Sequence, residues 1–234
     1  MSLLEVTQSL LGGFALTCLI FLVTLIISVP LGLLISFGLM SKFKPVSAVL
    51  KVFVWIIRGI PLMLQIFMIY YLPGLLSSGG TNFFGEIDKY LFFNFGIETG
   101  GALIAVFIAF IINYACYFSV IFKGGIMGIS VGQSEAGLVL GMTKNQIFGK
   151  VILFQVIKKI TPPMSNEIIT LVKDTALANA IGVVETIRKA TNFASGINAI
   201  IWPIFYSGVF YLLFVGVLTL LFGFVEKKLS FYKE

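Results

Sequence analysis

Apolar runs of membrane-spanning length decide what this chain can fold into. Leu10–Met40 and Gly100–Phe122 carry no charged residue, and Val46–Leu76 carries only Lys51 and Arg58. A spanning helix needs about 20 such residues. A fourth run, from about Ile160 to Val184, holds several polar groups, and a fifth is Ile197–Val225. The period-two alternation of a membrane barrel is absent, which leaves helices as the spanning structure. The expectation is an all-α polytopic membrane protein. It has five transmembrane helices, at about 10–40, 46–76, 100–122, 160–184 and 197–225, in one transmembrane domain over 1–234.

Composition agrees with this reading. Only 11% of the residues are charged and 59% are hydrophobic, whereas a soluble domain is nearer a quarter charged. The net charge of +6 does not point to nucleic acid, because the lysines cluster at the ends of the apolar runs. The first run is long enough to span, unlike a cleaved leader. Cys18 and Cys116 both lie in apolar runs, which argues against a disulfide framework. The chain has no histidine, so the commonest general base and metal ligand is missing. No metal and no cofactor are expected.

The basic residues choose the orientation. Lys42, Lys44 and Lys51 flank the first loop. Lys123, Lys144, Lys150, Lys158 and Lys159 flank the third, and Lys227, Lys228 and Lys233 lie in the tail. The opposite side has only Lys89, Arg188 and Lys189. The bias places the N-terminus outside and the C-terminus in the cytoplasm. The outer loop Ser77–Thr99 mixes Ser77, Ser78, Gly79 and Gly80 with Phe83, Phe84, Phe92 and Phe93, a composition suited to a short interfacial helix.

Within the cytoplasmic segment 130–150, residues Gln133–Gly141 read QSEAGLVLG. Glu135, Leu138 and Met142 have helical spacing, and Gly141 can end that helix with positive φ. Such a helix suits a partner's groove. It equally suits a loop helix resting on the bilayer.

Several stretches in this chain resemble one family. They are GGI at Gly124–Ile126, GQSEAG at Gly132–Gly137, LG at Leu140–Gly141, VIL at Val151–Leu153, NEIITLVKDTAL at Asn166–Leu177 and RGIPLMLQ at Arg58–Gln65. In this order and spacing the chain resembles the permease subunit of an ATP-binding-cassette importer for polar amino acids. The resemblance implies a type I importer-like permease fold in a cell (inner) membrane. It implies that Glu135, Ala136, Gly137, Leu138 and Gly141 belong to a coupling helix that docks on a separate ATPase. It also implies two ATPase subunits, an extracytoplasmic amino-acid-binding protein and a second permease subunit, identical or sibling. Gly137, Phe154, Val120 and Lys123 depart from the family pattern, and Val120 puts in doubt an ion pair the family makes there. The chain has no phosphate loop ending in Gly-Lys-Ser/Thr, so nucleotide hydrolysis is expected on the partner and this chain is not expected to be an enzyme.

Polar groups in lipid need a partner or water. Arg58 and Gln65 stand seven apart around Pro61, which cannot donate to the Ile57 carbonyl and permits a kink there. Glu167 and Asp174 are also seven apart and share a helix face. Asn166 and Lys173 share the neighbouring one, and Asn113 adds an amide from the third run. One reading is a zwitterion site formed by Arg58, Gln65, Asn113, Glu167 and Asp174. There Arg58 holds a carboxylate and Glu167 or Asp174 holds a cation. In the other reading, Arg58 pairs with Asp174 or with carbonyls, and Lys173 and Asp174 anchor helix packing. The prolines Pro162 and Pro163 are placed at the entry of the fourth span. Gly12, Gly13, Gly32, Gly38, Gly208 and Gly216 are expected at close helix contacts.

For the substrate, Glu167 favours a basic amino acid such as arginine, lysine or histidine, with glutamine or another polar amino acid as the alternative. A secondary transporter would carry inverted halves, which are not evident. A hydrolase would have to rely on Glu167 and Asp174, about 10 Å apart along a helix. A channel would need a ring-forming charge pattern, and none is seen.

Overall fold

The computed structural model describes residues 3–76, 83–95, 102–196 and 202–229. Among these, every regular element is helical. The helices are α1 (Leu3–Leu39), α2 (Lys44–Gly59), α3 (Leu62–Leu76), α4 (Phe83–Phe95) and α5 (Leu103–Met127). They continue with α6 (Val131–Val139), α7 (Lys144–Ile147), α8 (Leu153–Asp174), α9 (Thr186–Gly196) and α10 (Trp202–Leu229). A π turn, Phe148–Ile152, joins α7 to α8, and a 3-10 segment, Thr175–Ile181, extends α8. Of these helices α1, α5 and α10 are singly long and apolar enough to cross a membrane.

The core is the seam between α1 and α5. On α1, Thr17, Thr24, Ser28 and Ser36 are fully buried and recur near the helical period. Small side chains there let the two backbones approach. At Gly32 a β-carbon would stand 2.8 Å from Phe118 Cβ and 2.9 Å from the Ala115 carbonyl oxygen. Gly13 is equally tight, with Thr186 Cα at 2.9 Å from such a carbon, and Gly38 abuts Leu50 of α2. These three fit the close-contact expectation. Gly12, Gly208 and Gly216 correct it: a β-carbon on any of them would meet nothing within 4 Å.

The second apolar run is not one straight span. It is divided into α2 and α3, bent by 102° at the Ile60–Pro61 break. Proline supplies the cause, because it has no N–H to continue the ladder. The fourth run also differs from expectation. Helix starts at Lys144 and passes through the π turn, so Pro162 and Pro163 lie inside α8 and not at its entry. The 3-10 segment then ends at Gly182, whose φ is +91°. The Gly182 N–H bonds the Asn179 carbonyl at 3.0 Å and the Val183 N–H bonds the Ala178 carbonyl at 3.3 Å, the paired bonds of a Schellman closure.

The expected helix of the outer loop is α4, with Phe84 buried in the core and Phe93 exposed. Ser77, Ser78, Gly79, Gly80 and Thr99 lie outside the described residues, as do Gly100 and Ile197. Helix α9 was not anticipated. Its first turn is capped by Glu185, whose carboxylate accepts from the Ile187 N–H at 2.7 Å and the Arg188 N–H at 2.9 Å. Tyr211 of α10 donates to the same carboxylate at 2.9 Å. Glu185 is fully buried, and charge there is tolerated only because three donors meet it. Beside it the Thr17 and Thr186 hydroxyls lie 2.8 Å apart, tying α1 to α9.

The seam gives a test. Gly32→Val should destabilise the purified chain by about 1–3 kcal/mol, the ordinary penalty for overpacking. Gly12→Val, placed in open space, should leave the thermal unfolding temperature unchanged in the same detergent.

Candidate functional site

The bent α2–α3 pair forms one wall of a polar cavity of 460 Å³. At the break, the Ile57 and Ile60 carbonyls have lost their helical partners. The buried Gln65 amide donates to both, at 2.7 and 2.8 Å. Both of these acceptors thus regain a donor at the 102° bend. It also corrects the placement of Gln65. The residue does not share a face with Arg58, because the heptad count fails across a break, and it is not among the residues lining the cavity.

Arg58, at the end of α2, does line the cavity. Pro61 and Leu62 line it from the start of α3, where the first N–H groups of a helix carry partial positive charge. From α5 come Asn113, Tyr114 and Tyr117, and from α8 come Glu167, Thr170 and Asp174. Four of the five anticipated residues thus converge. Arg58 is exposed and its guanidinium lies over the Tyr117 ring, 4.8 Å from the centroid, a cation–π contact. It makes no ion pair with Asp174. The Tyr114 hydroxyl donates to Asp174 Oδ2 at 2.7 Å. Glu167 is half-buried and has no hydrogen bond to another side chain or to backbone among the described residues. The cavity therefore has a cationic wall on α2 and α3 and an anionic wall on α8. Asn166 and Lys173 are exposed on the neighbouring face of α8.

Tyr114, Tyr117 and Thr170 were missed. A signal existed for two of them: Tyr117 is four residues after Asn113, and Thr170 lies between Glu167 and Asp174 at helical spacing.

The second candidate element is α6. Ser130–Gly141 projects from the bundle with Glu135, Ala136, Leu138, Val139, Leu140 and Gly141 exposed. Val139 and Leu140 are 87% and 79% exposed, a larger apolar tip than the polar sequence suggests. Gly141 has φ +72°, as anticipated. Its N–H bonds the Leu138 carbonyl at 2.9 Å, and the Met142 N–H bonds the Gly137 carbonyl at 3.0 Å, a second Schellman closure. Thr143 then opens α7 through a capping box with Gln146, satisfying two further N–H groups. The chain thus turns sharply between two well-ended helices. Gly137 is the one buried anticipated residue of this element, and a β-carbon there would lie 2.7 Å from Ile147 Cγ1. The glycine is fitted to Ile147.

These features define a class: a polytopic helical membrane protein with a polar cavity at a broken helix and an exposed helix at one end of the bundle. The chain belongs to the binding-protein-dependent transport system inner membrane component family, whose model matches residues 28–231. It is 31% identical over 222 residues to the arginine transport system permease protein ArtQ of Bacillus subtilis, covering 94% of this chain and 92% of that one. It is 32% identical to the L-cystine transport system permease protein TcyB of the same organism, covering 94% and 86%. Its fold is similar to a chain from the crystal structure of an amino acid ABC transporter with histidines, at 28% identity and TM-score 0.78, covering 96% of each chain. The fold is therefore of the type I importer-like permease kind, and the family is a transport component and not a catalyst. Membership implies work alongside a substrate-binding protein, ATPase subunits and a second permease.

Two stability tests follow from the geometry. Gln65→Leu should cost about 1–3 kcal/mol, because both freed carbonyls lose their donor, read as a lower unfolding temperature. Gly137→Ala should also lower it, and in an Ile147→Ala background, which removes Cγ1, the same change should cost little further. An equal loss in that background would disprove the fit.

Proposed function

We propose that this chain is the permease subunit of an ATP-driven importer of basic amino acids, working in the cell (inner) membrane. The observation that carries the reading is the divided charge of the cavity. Arg58 and the α3 N-terminus face the α-carboxylate, since guanidinium and helix N–H groups both suit it. Glu167 faces a cationic side chain or the α-ammonium. Asp174 is the weaker candidate for that role, because Tyr114 already engages it. A carboxylate at membrane depth costs less when a cation arrives to pair with it.

In this reading α1, the bent α2–α3 pair, α5, α8 with its 3-10 extension, and α10 are the five spans. The lysine bias sets the N-terminus outside and α6 in the cytoplasm. The residues Glu135–Gly141 then dock on an ATPase, and two ATPases serve a pair of permeases. Closure of the ATPases draws the two α6 helices together. From Lys144 to Ile181 the chain is continuously helical, so movement at α6 reaches Glu167 and Asp174 along one lever. The bundle is a bistable element that the nucleotide cycle biases. A binding protein delivers the amino acid from outside.

The relatives support an amino acid cargo in general, one named for arginine and one for L-cystine. The structural neighbour that is named with histidines favours the basic class. Glutamine or another polar amino acid is the second reading, and the Arg58 wall alone would serve it. An ion-gradient carrier is a lesser alternative, which ATP depletion separates.

Reconstitution with the ATPase and binding protein decides between them. Glu167→Gln should lower arginine kcat/KM about tenfold or more, the loss of one charged hydrogen bond. Glutamine uptake should stay within about twofold. Equal effects on both substrates would remove charge selection by Glu167.

A further inference from the structure

We infer that a second cavity, at the root of α6, is a binding site for the phosphate headgroup of an anionic lipid. The inference rests on the orientation proposed above, which puts this end of the bundle at the cytoplasmic boundary. The cavity is larger than the first, at 700 Å³. Lys150 lines it from the π turn, and Lys158 and Lys159 line it from the first turns of α8. Gln133 and Gln155 add amides, and among the described residues no carboxylate lines the cavity.

Lys150 and Lys159 both stand at this cavity, and an anion placed there is attracted to both. Lys159 donates one bond, to the Gly128 carbonyl at 2.8 Å. An ammonium has three donors, so Lys159 anchors to the far wall and keeps capacity for a ligand oxygen. The Gln155 amide donates to the Gln133 side-chain oxygen at 3.2 Å, closing the polar end. Phe154, 59% exposed, and Val151 line the other side.

A cationic end with an apolar rim matches a phosphodiester that continues into a glycerol and acyl chain. A free phosphate has no use for the rim. Basic pockets between spans on the cytoplasmic side hold anionic headgroups in this manner. Position gives the site a consequence. One wall is Gly128–Gln133, where α5 passes into α6, and the other is the start of α8. A headgroup there bridges the two arms of the lever. The π turn that carries Lys150 is a rare insertion, and such turns concentrate at functional positions.

The test uses the permease assembled with its ATPase and examined by native mass spectrometry. It is titrated with phosphatidylglycerol, phosphatidylcholine or inorganic phosphate. Wild type should retain phosphatidylglycerol over phosphatidylcholine, and each of Lys150→Gln, Lys158→Gln and Lys159→Gln should reduce that preference about fivefold. The variant K42Q/K44Q/K228Q, which removes three positive charges elsewhere, should keep it. An equal loss in that control would mean diffuse attraction and overturn the site. Displacement of the lipid by inorganic phosphate would make it a soluble-anion site and overturn the lipid assignment. Cross-linking of Lys150→Cys to the ATPase with no lipid retained would make it a protein contact, with the same result. Glu167→Gln, which tests the substrate reading, should leave lipid retention unchanged. Labelling of Lys150→Cys from the outer face would overturn the placement in the inner leaflet. Single variants carry the test if a triple variant does not assemble, with thermal unfolding as the check on folding.

Discussion

The break at Pro61 is the constraint on which the site depends. A continuous helix over the second apolar run would satisfy its own backbone and would carry Arg58 along its flank. Removing one N–H frees the Ile57 carbonyl, and the bend frees that of Ile60. A single side chain, Gln65, takes both. The bend is thereby stable in a medium where an unpaired carbonyl is costly. Its product is a helix C-terminus with Arg58 beside a helix N-terminus, both at one cavity. The polar residue with no place in the cavity is what keeps the cavity open.

The opposite wall depends on continuity. The sharp turn at Gly141 and the capping box at Thr143 end one helix and start the next within four residues of sequence. From there the helix runs unbroken through the π turn into α8, past Pro162 and Pro163. Thr161 and Ser165 hydroxyls bond the Ile157 and Thr161 carbonyls at 2.7 and 2.8 Å, local bonds typical of bent helices in membranes. Pro162 and Pro163 have no N–H for the Lys158 and Lys159 carbonyls, so the middle of α8 lacks two backbone bonds of its ladder. A rigid turn at one end and a pliable middle are the properties a lever needs.

Much of this was legible in the sequence, and the failures have physical causes. Apolar run length gave the long helices, because burial in lipid has no other solution. Gly141 was legible because only positive φ explains a glycine at that point. Pro61 announced the kink, yet the spacing from Arg58 to Gln65 misled, because heptad counting assumes the helix that the proline destroys. Pro162 and Pro163 were misplaced for the opposite reason: proline was taken as a start signal where the helix tolerates it inside. Helix α9 was hidden because its N-cap is Glu185, an uncommon cap. That carboxylate owes its place to Tyr211, far away in sequence. The basic cavity was invisible because its lysines come from a turn and a helix whose phase the π insertion sets.

The polarity of the cavity at the break survives because its charges do not cancel. An Arg58–Asp174 pair would cancel the two charges against each other. The structure avoids that outcome by giving Arg58 and Asp174 a neutral aromatic partner each. Arg58 lies on the Tyr117 ring and Asp174 accepts from the Tyr114 hydroxyl. Tyr114 and Tyr117 stand three apart on α5, between the two walls. A neutral partner tempers a charge without discharging it, so each wall keeps its sign. Neutral contacts are also weaker than ion pairs, which lets the side chains exchange them for the ligand and return to them on release. A carrier needs that balance more than tight binding, since every molecule bound has to leave on the other side.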